Sequence, residues 1–219
     1  CKVVDATGLI LLPGGVDAHT HFDLDVGIAR ASDDFYTGTV AAAFGGTTSV
    51  VDHMAFGPKG CALGHQVEEY HRLAKDAVID YGFHGIIQHV DDAVLSDMEI
   101  LLDEEGISSF KAYMTYDYNL DDKDLLKVLK RANDLGIVIC SHCENDAMLH
   151  ALRERDKREG RLQARYHPLS RPDVVEAEAI YRFLSLARVA GEAKAYVVHL
   201  SSALGINTYN FIKSLGQCN

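Results

Sequence analysis

An α/β fold whose parallel strands close into a barrel is predicted by three observations. Short apolar runs rich in Val and Ile alternate with helical patterns along the chain. Residues able to bind a metal fall at the C-terminal ends of those runs. No linker-like, repeated or low-complexity stretch divides the 219 residues.

The elements follow in order. Lys2-Val3-Val4-Asp5 reads as the tail of a strand, followed by a turn at Thr7-Gly8. Strands are expected at Gly15–Phe22, Thr47–His53, Phe83–Val90, Ser108–Tyr116, Ile137–His142 and Ala195–Leu200. Their near-continuous apolar character suits parallel strands buried on both faces. Helices are expected at Asp33–Phe44, stopping at Gly45-Gly46, at His65–Val78, and at Leu120–Leu135, stopping at Gly136. The charged stretch Asn145–Glu159 is a further helix. Ser170-Arg171-Pro172-Asp173 reads as an N-cap with Pro in the first turn, opening a long helix to about Ala190. Ala203–Leu215 is the last. Strands and helices alternating at this spacing imply right-handed βαβ units.

An open sheet and a barrel share this rhythm. His19 and His21, Lys111, His142 and His199 each sit at the C-terminal end of a strand. In an open sheet they would be strung along a line of 20 Å or more at ~4.8 Å per strand, whereas a barrel gathers strand ends on one centre. Convergence favours a TIM (β/α)8 barrel with about six of its eight βα units present. The missing Met at Cys1 and the stop at Asn219 just after a helical pattern agree with a piece of a longer protein. Residues 1–12 then read as the remnant of an N-terminal β-sandwich strand and linker, and 13–219 as the partial barrel.

A chain that is 47% hydrophobic can build a sizeable core. No run reaches the roughly 18 apolar residues of a membrane helix, and no secretory signal is visible. The net charge of −11 argues against a nucleic-acid surface. The five cysteines (Cys1, Cys61, Cys140, Cys143 and Cys218) are odd in number and scattered, the pattern of a reduced cytoplasmic protein. Cys140-Ser141-His142-Cys143 has the spacing of a redox pair or a zinc knuckle, but no second pair accompanies it and the segment reads as a buried strand.

His19-Thr20-His21 organises the site. Two histidines at i and i+2 of a strand face the same way and can grip one metal. His142 and His199 supply two more imidazoles. Of the eleven histidines, His65, His71 and His150 lie on helical faces and read as solvated or packed, and His84 starts a strand at the far end of the barrel. His53 and His89 lie near strand ends, and ordinary core packing is the favoured reading for both. Lys111 places an ammonium in the apolar strand Ser109-Phe110-Lys111-Ala112-Tyr113. Burial lowers a lysine's pKa, and a neutral amine can take up CO₂ as an anionic, bidentate carbamate. That group would bridge two divalent metals, with His19 and His21 on one and His142 and His199 on the other. Metals so placed activate water and polarise a carbonyl, which describes hydrolysis of an amide or related bond.

The run Pro13-Gly14-Gly15-Val16-Asp17-Ala18-His19-Thr20-His21-Phe22 resembles the opening of the cyclic amidohydrolases. Asp33-Asp34-Phe35-Tyr36-Thr37-Gly38-Thr39, Ala41-Ala42-Ala43-Phe44-Gly45-Gly46-Thr47-Thr48, Ser108-Ser109-Phe110-Lys111 with Tyr116, His142-Cys143-Glu144-Asn145 and Val198-His199-Leu200-Ser201 are similar to dihydropyrimidinases and bacterial hydantoinases. The resemblance implies a metal-dependent barrel that opens hydantoin or dihydropyrimidine rings. It implies two metal ions, usually zinc, on His19, His21, carboxylated Lys111, His142 and His199. It also implies a hydrogen bond from Tyr116 to the substrate carbonyl and its developing oxyanion. A small cyclic amide or ureide is the implied partner, and a homotetramer or homodimer the implied assembly of the parent. The stretch Asp25-Val26-Gly27-Ile28-Ala29-Arg30 departs from many members and looks more like phenylhydantoinases. The family's catalytic aspartate would lie beyond Asn219, so the fragment alone is expected to turn over little. Neighbouring alternatives are an allantoinase or dihydroorotase, and a non-catalytic dihydropyrimidinase-like scaffold that has lost its metal ligands.

Overall fold

The computed structural model describes residues 3–216. Cys1, Lys2 and Cys218, on which parts of the reading above rest, lie outside the described residues. The chain divides into two compact units. One holds the residues up to Ala55 together with Glu68–Phe83, and the other holds Phe56–Val67 together with everything from His84 onward.

In the first unit, β1 (Gly15–Thr20) and β2 (Thr47–His53) pair in parallel, with Thr20 opposite Asp52. Helix α1 (Phe35–Phe44) makes the crossover between them. Its start is fixed by a capping box in which Asp34 Oδ1 accepts from Thr37 N at 2.7 Å and Thr37 Oγ1 accepts from Asp34 N at 3.1 Å. It ends at Gly45, and the expected stop is completed by Gly46 at φ +86°, where a side chain would be strained. The core here is aromatic. Phe35 is fully buried and meets Phe22, Tyr70 and Phe83 edge-on at ring-centroid distances of 5.5, 6.0 and 6.3 Å. Tyr70 lies in the second half of α2 (Leu63–Leu73), and its hydroxyl accepts from Ala55 N at 2.7 Å.

The Phe22 ring lies where a Cβ on Gly38 would be, so glycine in mid-helix is what allows the close approach. Phe22 directly follows His21, and this contact therefore helps set the end of β1.

In the second unit the end of β3 (Asp80–Ile86), β4 (Ser109–Tyr113), β5 (Val138–His142) and β6 (Ala195–Val197) pair in parallel and in sequence order. Lys111 stands opposite Cys140 and Tyr113 opposite His142. The helices are α3 (Asp92–Glu105), α4 (Asp122–Leu135), α5 (Asp146–Arg158), α6 (Asp173–Val189) and α7 (Ala203–Ser214). Four begin on a side-chain cap, at Asp91, Asp121, Asn145 and Ser202, close behind a strand end. Phe110, Ile139, Leu125, Leu129, Ile180 and Phe183 are all 0% exposed and form the core between sheet and helices.

Several expected boundaries move. The strand placed at Phe83–Val90 is Asp80–Ile86, because after Ile87 N bonds Lys111 O the chain leaves the ladder, and Gln88 turns to accept from Gly57 N at 2.9 Å. His84 accordingly lies in the second half of β3, not at its start, with Nδ1 2.6 Å from Ser109 Oγ. Val3–Asp5 forms no strand, although the turn at Thr7-Gly8 is present. Ser170 does not cap α6. Its hydroxyl donates to His167 O at 2.9 Å, and Pro172 occupies the cap position. Helix α3 was not anticipated at all. Its signal is the cap Asp91 followed by Val94, Met98 and Leu101, all buried on one stripe.

Gly38→Ala is expected to cost about 1–3 kcal/mol, because the new methyl must displace Phe22 from a filled site. Urea denaturation measures it, and an unchanged midpoint would mean that Phe22 has room to shift.

Candidate active site

The first unit gathers three histidines. The rings of His19 and His21 lie 5.2 Å apart, and His53, from the end of β2, lies 4.2 Å from His19 and 5.1 Å from His21. The expected His-x-His pairing is therefore present. His53 is 1% exposed, in keeping with the core-packing reading, and packs against both members. Its companion Asp52 is fully buried, and its Oδ2 accepts from Thr20 Oγ1 at 2.7 Å and from Phe22 N at 2.9 Å. One carboxyl group thus holds the chain on both sides of His21. Burial pushes the Asp52 carboxyl up to about 6, against the opposing effect of those two hydrogen bonds. The segment after Phe22 folds back on itself. Arg30 pairs with Asp23 at 2.7 Å, and Asp25 bridges Arg30 across an antiparallel turn.

The second unit gathers the remaining candidates. Lys111 is 1% exposed on β4, with Nζ 5.4 Å from the centre of the Tyr113 ring. Among the described residues no carboxylate lies within ion-pair distance of it. Burial lowers its ammonium to about 8. His142 ends β5, and its ring lies 4.7 Å from His199 and 5.1 Å from Tyr116. Burial, followed by the charges of His142 and Lys111, brings His199 down to about 4, so this imidazole is neutral near pH 7. His199 and Tyr116 both have left-handed backbones, at φ 36° and φ 75°. For such side chains this conformation costs of order 1–3 kcal/mol and persists only where neighbours enforce it.

The neighbours do so. Glu176 of α6 accepts from Ser201 N and Ser202 N at 2.8 Å each, which ties down the chain just past His199. Thr115 donates to Asp146 at the start of α5 at 2.8 Å, which fixes the chain just before Tyr116. Tyr116, His142, Glu144, Arg171 and His199 line one cavity of about 460 Å³. Glu144 accepts from His142 Nε2 at 2.6 Å and from Arg171. Burial pushes the Glu144 carboxyl up, but hydrogen bonds from His142 and Arg171 outweigh it and hold the group at about 2.

The other expectations resolve simply. His65 and His150 are exposed, His150 with Nε2 3.5 Å from Asp146, and exposed His71 packs on Phe83. His89 lies 3.5 Å from Asp91. Cys140 and Cys143 are buried free thiols raised by burial to about 11 and about 12, which does not suit a redox pair. Sequence reasoning gave no role to Asp52, Arg171 or Glu176. Asp52-His53 at a strand end was the signal for the first, and the other two act through folding contacts that spacing does not reveal.

The donor chemistry fits a divalent metal: imidazoles at or just past strand ends, that of His199 neutral, and within β4 a lysine amine with a weakened proton. As they stand, no three or more His, Cys, Asp or Glu side chains among the described residues form a ready metal-binding group. In the second unit the nitrogen donors are the imidazoles of His142 and His199 and the Lys111 amine.

Parallel βα units with histidines at or just past the strand ends and a buried lysine within β4 are an arrangement of the amidohydrolase class. The chain belongs to the amidohydrolase family, whose model matches residues 10–215. It is 52% identical over 208 residues to a D-phenylhydantoinase of Escherichia coli O1:K1, covering 94% of this chain and 45% of that protein. A crystal structure of dihydropyrimidinase from Brevibacillus agri superimposes with a TM-score of 0.95 at 42% identity, covering 99% of this chain and 47% of that one. A D-hydantoinase from Bacillus sp. AR9 gives 0.89 at 40% identity, over 94% and 45%. The fold class is thus the TIM-barrel amidohydrolase, present in part. The chain spans about half the length of these relatives.

Asp52 predicts a pH dependence. Between the ordinary 3.8 and about 6 the folded state keeps a proton that the unfolded chain has released, so stability falls as pH rises through this window. Asp52→Asn retains an acceptor but cannot ionise. The stability difference between the two proteins is expected to move in the variant's favour by up to about 3 kcal/mol between about pH 4 and about pH 7. Denaturation at three pH values tests this, and a difference independent of pH would contradict it.

Proposed function

We propose that the protein hydrolyses a ring amide of a hydantoin or dihydropyrimidine. The observation that carries this reading is Lys111, an amine 1% exposed and without a carboxylate partner among the described residues, beside the neutral His199. His19, His21, carboxylated Lys111, His142 and His199 would hold two divalent ions, zinc foremost, and the ions when bound would supply an activated hydroxide and polarise the carbonyl.

The chain's own residues do the rest. The Lys111 ammonium, lowered to about 8, loses one proton to solvent. The free amine then attacks CO₂, forming an N–C bond as one C=O π bond opens and a second N–H proton leaves to solvent, so a carbamate anion replaces a buried cation. His199 stays unprotonated near neutrality and keeps a lone pair for coordination. Tyr116 donates its phenolic hydrogen to the substrate carbonyl, a bond that strengthens as negative charge collects on the oxygen. Its strained backbone is pinned by Thr115 and Asp146, so little reorganisation is needed in the transition state. A cavity of about 460 Å³ accommodates a substituted five- or six-membered ring. The relatives named D-phenylhydantoinase support an aryl-substituted hydantoin. The free thiols Cys61, Cys140 and Cys143 support a reducing compartment, the cytoplasm, and among the described residues no helix is long and apolar enough to cross a membrane.

Lys111→Ala in the full-length protein is expected to abolish stoichiometric binding of two metals and ring opening, with partial recovery by short carboxylic acids. Metal analysis and a 5-phenylhydantoin assay test it. Undiminished activity without added acid would refute the role of Lys111, and a wild-type protein holding no metal would indicate the scaffold reading. Tyr116→Phe is expected to lower kcat by about 10²–10³-fold with metal content unchanged. Loss of metal with kcat per bound metal preserved would refute that assignment.

A further inference from the structure

We propose that Glu144 is a positioning residue that fixes the tautomer of His142 and leaves Nδ1 as its metal-binding nitrogen. The inference deepens the metal-site reading above and rests on it for the identity of the ligand. The geometry begins with Arg171, whose Nη1 donates to Glu144 Oε2. A guanidinium is always protonated and can only donate. Facing it, Glu144 remains a carboxylate, which can only accept. Its contact with His142 Nε2 at 2.6 Å therefore requires the proton on the ring nitrogen. An imidazole that binds a metal keeps one ring proton, and with that proton held on Nε2 by Glu144, Nδ1 is the nitrogen left to coordinate. No described residue hydrogen-bonds Nδ1.

The ring itself stands in the cavity, edge-on to His199 at 4.7 Å and to Tyr116 at 5.1 Å. Histidines that bind metals commonly donate their second N–H to a carboxylate, which sets the ring orientation and makes the bound nitrogen more basic. Here the carboxylate comes from the turn that follows β5. Its anchor comes from the segment just before α6. The Arg171 guanidinium also lies 5.9 Å from the centre of the Tyr116 ring. One cation thus stands against the metal-ligand support on one side and the substrate-binding phenol on the other. Arg171 directly follows a short 3-10 helix at Pro168–Ser170, in a stretch, Ser170–Asp173, that reads in sequence as a helix start.

Histidine-selective ¹⁵N NMR on the metal-free full chain reads the tautomer, and zinc affinity is read separately by chelator competition. In the wild type His142 should show a protonated Nε2 and a bare Nδ1. Glu144→Gln should give a tautomer mixture and weaken zinc binding about 10–100-fold. Where that variant does not fold, Arg171→Met, which leaves His142 and Glu144 in place, should shift both readouts in the same direction. The proposal is overturned by a wild-type ring protonated on Nδ1, or by variants that keep the wild-type tautomer and zinc affinity within twofold. A tautomer that responds to Glu144 in a protein that binds no zinc would sink the metal-site reading while upholding the role of Glu144.

Discussion

A lysine amine inside an apolar strand is the constraint on which the chemistry of this protein turns. Burying an unpaired ammonium is costly, and the folded chain meets that cost by weakening the ammonium's hold on its proton. The same low-dielectric surroundings act on His199, and the charges of Lys111 and His142 push it further in the same direction. His199 therefore presents a lone pair near neutral pH, and the Lys111 ammonium gives up its proton far more readily than an ordinary lysine.

Holding these groups in place is left to carboxylates on neighbouring segments. Asp52 ties together the residues on either side of His21, Glu144 takes the outer nitrogen of His142, and Glu176 ties down the chain beyond His199. In each case a short loop leaving a parallel strand would otherwise be free to move. The left-handed backbones of Tyr116 and His199 fit this division of labour, because strain of that kind survives only where several hydrogen bonds over-determine the loop. The bonds go to backbone amides, the Thr20 hydroxyl and one ring nitrogen of His142, and His142, His199 and Tyr116 line the cavity.

The parts legible in the sequence were those written in local pattern. Val- and Ile-rich runs marked the strands, Gly45-Gly46 and Gly136 marked helix ends, and Lys111 was conspicuous because charge is rare within such a run. Helix α3 was hidden because the strand before it was read too far, to Val90, which swallowed the region of its cap at Asp91. The role of Asp52 could have been suspected from its place at a strand end. Those of Arg171 and Glu176 could not, since each acts on a segment about 25 or more residues away in sequence. Only the folded chain brings them there. His53 is buried, in keeping with core packing, and its neighbours are the rings of His19 and His21, which spacing along the chain does not reveal.

The most direct test of the central claim is ¹³C NMR of the full-length protein equilibrated with ¹³C-bicarbonate. A carbamate resonance that appears in the wild type and vanishes in Lys111→Arg would establish that the buried amine is neutral and reacts with CO₂. A wild-type protein with full ring-opening activity and no such resonance would contradict it.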